Sequence, residues 1–306
     1  MIPADKERIK MKRTAFIAIV GRPNVGKSTL LNAILGEKIA ITSKRPQTTR
    51  NRITGIHTVG EDQYVFLDTP GVHRPRTKLG DYMVKTAAGA LGDSDAAILV
   101  VDPRGAVGEI EDEIITKIEG SKTPAVLVIN KEDTVNAGEI AKTIEAYAAR
   151  HDFDAVIPIS AKNKRGIDAV LSECERYLTE SVWFFPEDQL TDMPERQIAA
   201  EIIREKLLRT LNEEIPHGTA VTIEEFLEKK DLVRIRAEIF CEKQSHKGII
   251  IGKNGATLKI IGSHAREDLE RFLGVKVFLD LWVKVKENWR DRSSLLSNFG
   301  YREDGK

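Results

Sequence analysis

Residues 21–28 read Gly21-Arg22-Pro23-Asn24-Val25-Gly26-Lys27-Ser28, directly after the apolar run Ala15-Phe16-Ile17-Ala18-Ile19-Val20. A strand that runs into G-x-x-x-x-G-K-[ST] is a P-loop, a device for holding polyphosphate. Its glycines let backbone N–H groups turn inward, and the following helix N-terminus adds partial positive charge. Lys27 is placed to reach the β- and γ-phosphates, and Ser28 to offer a hydroxyl to Mg²⁺. Thr29 opens a helical pattern through Leu30, Leu31, Ala33, Ile34 and Leu35 that Gly36 closes.

Outward from this loop, four more apolar runs follow: 64–67, 96–101, 125–129 and 155–159. Each is short, continuous and rich in β-branched residues, as in strands buried on both faces. Helical patterns at 110–118 and 140–149 separate the later runs. Alternation of this kind predicts an α/β fold, a doubly wound, mostly parallel sheet with its ligands beyond the carboxyl ends of the strands. The polar motifs fall at those ends. Asp68-Thr69-Pro70-Gly71 follows one strand. It offers a carboxylate for Mg²⁺ and, at Gly71, an N–H for a γ-phosphate. Asn130-Lys131-Glu132-Asp133 follows another, where Asp133 can accept from N1 and the exocyclic amine of guanine, a donor pair that adenine lacks. Ser160-Ala161-Lys162 follows a third, with backbone to offer the base oxygen. Singly, each motif is weak; in this order and placement they specify a GTP and GDP site with Mg²⁺.

Together these motifs, with Gln47-Thr48-Thr49-Arg50 in a first switch loop, resemble the Era family of ribosome-assembly GTPases, within the translation-factor class. The resemblance covers nearly the whole chain. It implies that Thr49 is the second Mg²⁺ ligand from protein, with Thr48 the alternative; read without it, both are exposed polar loop residues. Lys27, Thr49 and Gly71 are then the residues expected to act on the reacting phosphate. Ras-like enzymes carry a water-orienting glutamine where this chain has Val72, so slow intrinsic hydrolysis is expected. The resemblance also offers K⁺, held by Asn24, as a stand-in for an arginine finger; the other reading of Asn24 is a loop cap. His73 reads as a solvated switch residue, and residues 74–78 as a mobile second switch loop.

The chain has 306 residues, enough for two domains, with 47 basic and 47 acidic residues. Zero net charge argues against bulk nucleic-acid binding. The charge is unevenly spread, however: residues 234–290 hold 12 Lys/Arg against 7 Asp/Glu. The first residues are charged and lack the apolar core of a secretory signal. Cys174 and Cys241 lack metal-ligand spacing and read as free thiols in a reducing cytosol.

The expected division is a GTPase domain over 1–183, a linker over 184–194, a second domain over 195–290 and a tail over 291–306. The second domain shows a helix stopped by Pro216-His217-Gly218, then alternating runs around 221–223, 233–241 and 275–286. Between the last two lies Gly248-Ile249-Ile250-Ile251-Gly252-Lys253-Asn254-Gly255. A G-x-x-G loop between short helices lets a nucleic-acid backbone approach, although such a tetrapeptide alone also fits a plain helix–helix turn. With its sheet pattern it resembles a type II KH domain, a smaller α+β module. Ile249, Ile250 and Ile251 are then expected to floor a groove for unstacked bases. The tail, with Leu295, Leu296, Phe299 and Tyr301, is expected to dock on its own domain. From the resemblance, the expected partner is the 3′ end of small-subunit ribosomal RNA, the role is maturation of the small ribosomal subunit, and the protein is a cytoplasmic monomer. Peripheral association with the inner face of the cell membrane is a family trait that nothing in the sequence requires. The rival readings are a metabolic P-loop kinase and a GTPase whose KH-like domain is only structural.

Overall fold

A computed structural model describes residues 11–43, 45–72 and 74–302. His73 lies outside the described residues, as do the first ten and the last four. The apolar run before the P-loop forms β1 (Arg13–Val20), central in a sheet of order β2-β3-β1-β4-β5-β6. Its neighbours are β2 (Ile53–Val59), β3 (Asp62–Asp68), β4 (Ala96–Val101), β5 (Ala125–Asn130) and β6 (Ala155–Ile159). All pair in parallel except β2, antiparallel to β3, and the short β7 (Thr179–Glu180), antiparallel to the start of β1. Burial of both faces explains the unbroken apolar strands. Ile17 and Ile19 pack under α1 (Lys27–Leu35) and α5 (Ile167–Cys174). Ala18 and Val20 pack under α2 (Lys78–Gly92), α3 (Glu109–Ser121) and α4 (Ala137–Ala148).

The second unit runs α6 (Glu195–Thr210), β8 (Ala220–Lys229), β9 (Leu232–Cys241), α7 (Gln244–Ile251), α8 (Ala256–Leu273) and β10 (Lys276–Val285). Its sheet has order β10-β9-β8, with β10 parallel and β8 antiparallel to β9. Alternation places Val233, Ile235, Ala237 and Ile239 inward against α6 and α8. This core shares no buried residue with the first, so each unit has its own.

Segment 184–194 contains no helix or strand, but it is tied down. Gln63 Oε1 accepts from the N–H groups of Phe184 and Phe185, at 2.9 and 3.1 Å. The Ile56 N–H donates to Leu190 O at 2.8 Å, and Thr191 Oγ1 to Thr54 O at 2.6 Å. The segment thus lies along the free edge of β2 and covers it.

Two expectations need correction here. The tail, with α9 (Ser293–Asn298), docks on both domains. Trp289, Leu296 and Tyr301 pack with Phe240 of the second sheet and with Leu79 and Met83 of α2. Trp289 is fully buried and donates from Nε1 to Gly218 O at 2.9 Å. Residues 74–78 are also less free than a mobile loop. Lys78 begins α2, Thr77 caps it by accepting from Gly80 N at 3.2 Å, and the Lys78 N–H donates to Asp291 Oδ1 of the tail at 3.1 Å.

Candidate nucleotide cleft and nucleic-acid groove

The P-loop joins the end of β1 to α1 with Gly26 at φ 104°, and a Cβ there would meet Asn130 Nδ2 at 2.2 Å. Only glycine allows that close approach. Lys27 is buried and donates to the carbonyls of Gly21 and Arg22, both at 3.1 Å. Burial lowers its pKa to about 8. Beside it, three hydroxyl and carboxyl groups converge from different parts of the chain. Ser28 Oγ donates to Asp68 Oδ2 at 2.6 Å and lies 2.8 Å from Thr49 Oγ1. Burial raises the Asp68 carboxyl to about 6, against the pull of Lys27 and the Ser28 bond. Asp68 Oδ1 is buried without a hydrogen-bond partner. An all-oxygen set with one uncommitted carboxylate oxygen suits a hard divalent cation.

Thr49 is buried, contrary to an exposed loop, and Thr48 instead donates to Arg45 O at 2.7 Å. The geometry therefore favours Thr49 over Thr48 at the metal position. Val72 is buried against Ala18, Val20 and Leu99, so its side chain is turned from the phosphates.

At the other end of the site, Asp133 stands on a short 3₁₀ turn after β5. A hydrogen bond from Ser160 holds its carboxylate below the usual range. Asp133, Lys131, Ser160 and Lys162 line a cleft of about 980 Å³ that reaches Gly26 and Asn24 of the P-loop. Pro23, Ser28, Thr29, Thr49 and Gly71 line its phosphate end.

Several expected contact residues are staples of the site and present no side chain to a ligand. Asn130 is buried; its Nδ2 donates to Val25 O at 2.8 Å, and its Oδ1 accepts from Lys131 N and Ala161 N at 2.8 and 3.0 Å. The Ala161 N–H is thereby committed within the protein. Arg22 pairs with Asp102 and Glu111. Val25 belongs to the core, and Thr69 Oγ1 donates to Ile19 O at 2.8 Å. Pro70 is buried. Asn24 adopts φ 65°, and its carbonyl accepts from Lys131 Nζ at 2.7 Å.

The second unit holds the first switch loop. Arg204 of α6 donates to Thr48 O. Arg50 is 1% exposed and crosses into the second unit, donating to Thr219 O at 2.7 Å, His217 O at 2.9 Å and Tyr301 Oη at 3.1 Å. Its guanidinium lies 5.7 Å from the Trp289 ring centroid. The two chain neighbours of Thr49 are thus fixed by the other domain. Tyr82 of α2 joins the same cluster, donating to Asn51 Oδ1 at 2.9 Å and stacking edge-on with Tyr301. Nearby, buried Glu205 accepts from Lys38 Nζ at 2.7 Å and Thr42 N at 3.0 Å. Asp268 answers the same cations; although burial pushes its carboxyl up, bonds from Lys206 and Lys38 hold it at about 2.

In the second unit α7 ends at Gly252, whose φ of +74° and whose missing Cβ, 2.2 Å from Thr257 Oγ1, fix the turn. Lys253 and Asn254 are exposed and Gly255 follows at φ +78°. The isoleucine floor needs correction. Helical periodicity drives Ile250 fully into the core, Ile251 packs at its margin, and only Ile249, 49% exposed, faces out beside Gly248. A groove of about 330 Å³ lies between α8 and β10, with Leu258, Leu279 and Leu281 as its apolar lining and Lys259 and Arg266 as its cations. The second helix of the pair is long, not short, at 18 residues.

A P-loop GTPase domain joined to a KH domain is the class that this fold and these sites define. The profile of the 50S ribosome-binding GTPase family matches residues 16–131, and that of the KH domain residues 214–290. The chain is 49% identical to GTPase Era of Ruminiclostridium cellulolyticum over 95% of this chain and 98% of that protein. It is 48% identical to GTPase Era of Clostridioides difficile over 96% of this chain and all of that protein. Among solved structures, Era in complex with MgGDPNP and nucleotides 1506–1542 of 16S ribosomal RNA superposes with a TM-score of 0.92 at 38% identity, over 95% of this chain and all of that one. A variant of Aquifex aeolicus Era bound to GDP and AlF4⁻ does so with a TM-score of 0.92 at 39% identity and the same coverage. The chain belongs to the Era family of GTPases. No helix among the described residues is long and apolar enough to cross a membrane.

Proposed function

We propose that this protein is a GTP-hydrolysing switch that binds the 3′ end of small-subunit ribosomal RNA through the α8–β10 groove. Its role is assembly of the small ribosomal subunit, in the cytoplasm and as a monomer. The observation that carries this reading is the route between the two sites: Thr49 lies at the phosphate end, while Arg50 and Thr48 are held by the KH domain. The nucleotide-bound 16S RNA complex of the relative supports the choice of RNA.

In the proposed chemistry Ser28, Thr49 and Asp68 hold Mg²⁺, which neutralises charge on the phosphates when bound. Lys27 would reach the β- and γ-phosphates, and the Gly71 N–H would meet the γ-phosphate. Asp133 reads the guanine edge. Ser28, Asp68 and Lys27 are pre-aligned by buried contacts, so little reorganisation accompanies nucleotide binding. Val72 provides no water-orienting group. We assign that deficit to K⁺ at Asn24. Turnover several-fold faster in K⁺ than in Na⁺, with the difference lost in Asn24→Ala, is the expected result; equal rates in both salts overturn it.

RNA binding is tested in the groove. A side chain at Gly252 would strike Thr257, so Gly252 variants confound loop shape with contact. Lys259→Glu and Arg266→Glu lie on exposed or half-exposed helix surface and leave the core intact. Each is expected to weaken binding of a single-stranded RNA by about 10-fold. Because apolar residues line the groove, the wild-type log K versus log[salt] slope is expected to stay shallower than about −3, with sequence preference. Unchanged binding in both variants, or steep and sequence-blind binding, contradicts the assignment.

A further inference from the structure

The nucleotide cleft has a wall that does not come from the GTPase domain. Leu208 and Arg209 of α6 line it together with Thr42, Ser43 and Arg45. The P-loop stands at one end and Asp133 at the other. A nucleotide fixed at both ends places its ribose between them, because the ribose is the covalent link from base to phosphates.

We propose that α6 closes the cleft over the ribose, that Arg209 contacts the ribose and its adjoining phosphate, and that GDP leaves only when α6 parts from Thr42 and Arg45. The inference rests on the reading of this cleft as the guanine-nucleotide site. Two bonds tie the lip to the helix and a third ties it to the segment just after it. The Thr42 N–H donates to Glu205 Oε1 at 3.0 Å, Arg209 Nη2 donates to Thr42 O at 3.1 Å, and Arg45 Nη1 donates to Glu213 O at 3.2 Å. Arg45 also donates to Leu211 O, the carbonyl of the residue that caps the C-terminal end of α6, where a cation is favoured. These contacts span more than 160 residues of sequence, so they exist only while the domains are together.

Glu205 is fully buried and takes Lys38, Lys206, Arg209 and the Thr42 N–H at once. It therefore orients Arg209 and the lip as one unit and acts as a positioning residue. The Arg209 side chain is 51% exposed, so its guanidinium can turn from Thr42 towards a phosphate or hydroxyl without breaking the core. Linkage makes the effect reciprocal: bound nucleotide favours the closed pair of domains, and any partner that draws the KH domain away loosens the nucleotide.

The test compares release of radiolabelled GDP and of 2′,3′-dideoxy-GDP from the full-length wild type and from Arg209→Ala. GDP is expected to leave the variant about 3- to 10-fold faster, the equivalent of one or two lost hydrogen bonds. Removal of the ribose hydroxyls should speed release from the wild type and have little further effect in the variant. Unchanged GDP release in Arg209→Ala overturns the inference, and equal acceleration of both nucleotides overturns the ribose contact. Failure of the wild type to bind GDP at all would overturn the assignment of the cleft itself.

Discussion

Asp133→Asn is expected to lower kcat/KM for GTP by about 10³-fold or more and to transfer activity to xanthosine triphosphate. The carboxylate stands at the base-reading end of the cleft, and the hydrogen bond from Ser160 keeps it ionised and acceptor-only. Guanine presents two donors on the edge it would meet. An amide in its place turns one acceptor into a donor and leaves a guanine N–H unpaired. Xanthine carries an oxygen where guanine carries the amine, so the same amide pairs with it. Asp133 is exposed and belongs to no core cluster, so the variant folds normally. Unaltered GTP turnover in the variant would remove guanine selection from this site and revive the metabolic P-loop kinase.

The second large effect is expected at Arg50, which touches no nucleotide. Arg50→Ala strips Thr219 O, His217 O and Tyr301 Oη of a donor in a buried seam, at a cost of about 3 kcal/mol of interdomain cohesion. Each domain keeps its own core, so both stay folded and the loss falls on their contact. Thr49 is the residue next to Arg50. Once freed of that anchor it no longer holds the position 2.8 Å from Ser28 Oγ, and GTP turnover is expected to fall about 10- to 100-fold. Arg50→Lys should recover part of it, since a lysine keeps the charge but cannot span three acceptors. Wild-type turnover in Arg50→Ala would show that the Arg50 anchor does not set the position of Thr49.

Much of this was legible in the sequence, because much of it is local. A phosphate cradle needs glycines at fixed spacing, and strands buried on both faces are written as unbroken apolar runs. The β2 strand was harder to read: Ile53–Val59 carries Gly55, His57 and two threonines, as befits an edge strand paired on one side by protein and covered by the connecting segment. Ile250 was misplaced because three consecutive isoleucines carry no period, and only the packing of α7 decides which one turns inward. Arg45, Arg204 and Arg209 read as ordinary charged residues and Arg50 only as part of the first switch motif, yet all four join the domains. Their partners lie 156 to 251 positions away, and no local pattern encodes such a contact. The same distance hid the double docking of the tail, where Tyr301 meets Tyr82 of α2 and Phe299 stacks on Phe240 of the second sheet.

The two switches, the tail and the KH domain therefore form one seam, with Arg50, Tyr82 and Tyr301 at its centre. A seam of that kind gives GTP state a physical means of biasing the RNA site, and the bias must be reciprocal. The most direct test is the affinity of the full-length protein for a single-stranded RNA from the 3′ end of 16S ribosomal RNA, loaded first with GDP and then with a non-hydrolysable GTP analogue. The two affinities are predicted to differ by at least about 5-fold in the wild type and to converge in Arg50→Ala; equal affinities in the wild type would contradict the account.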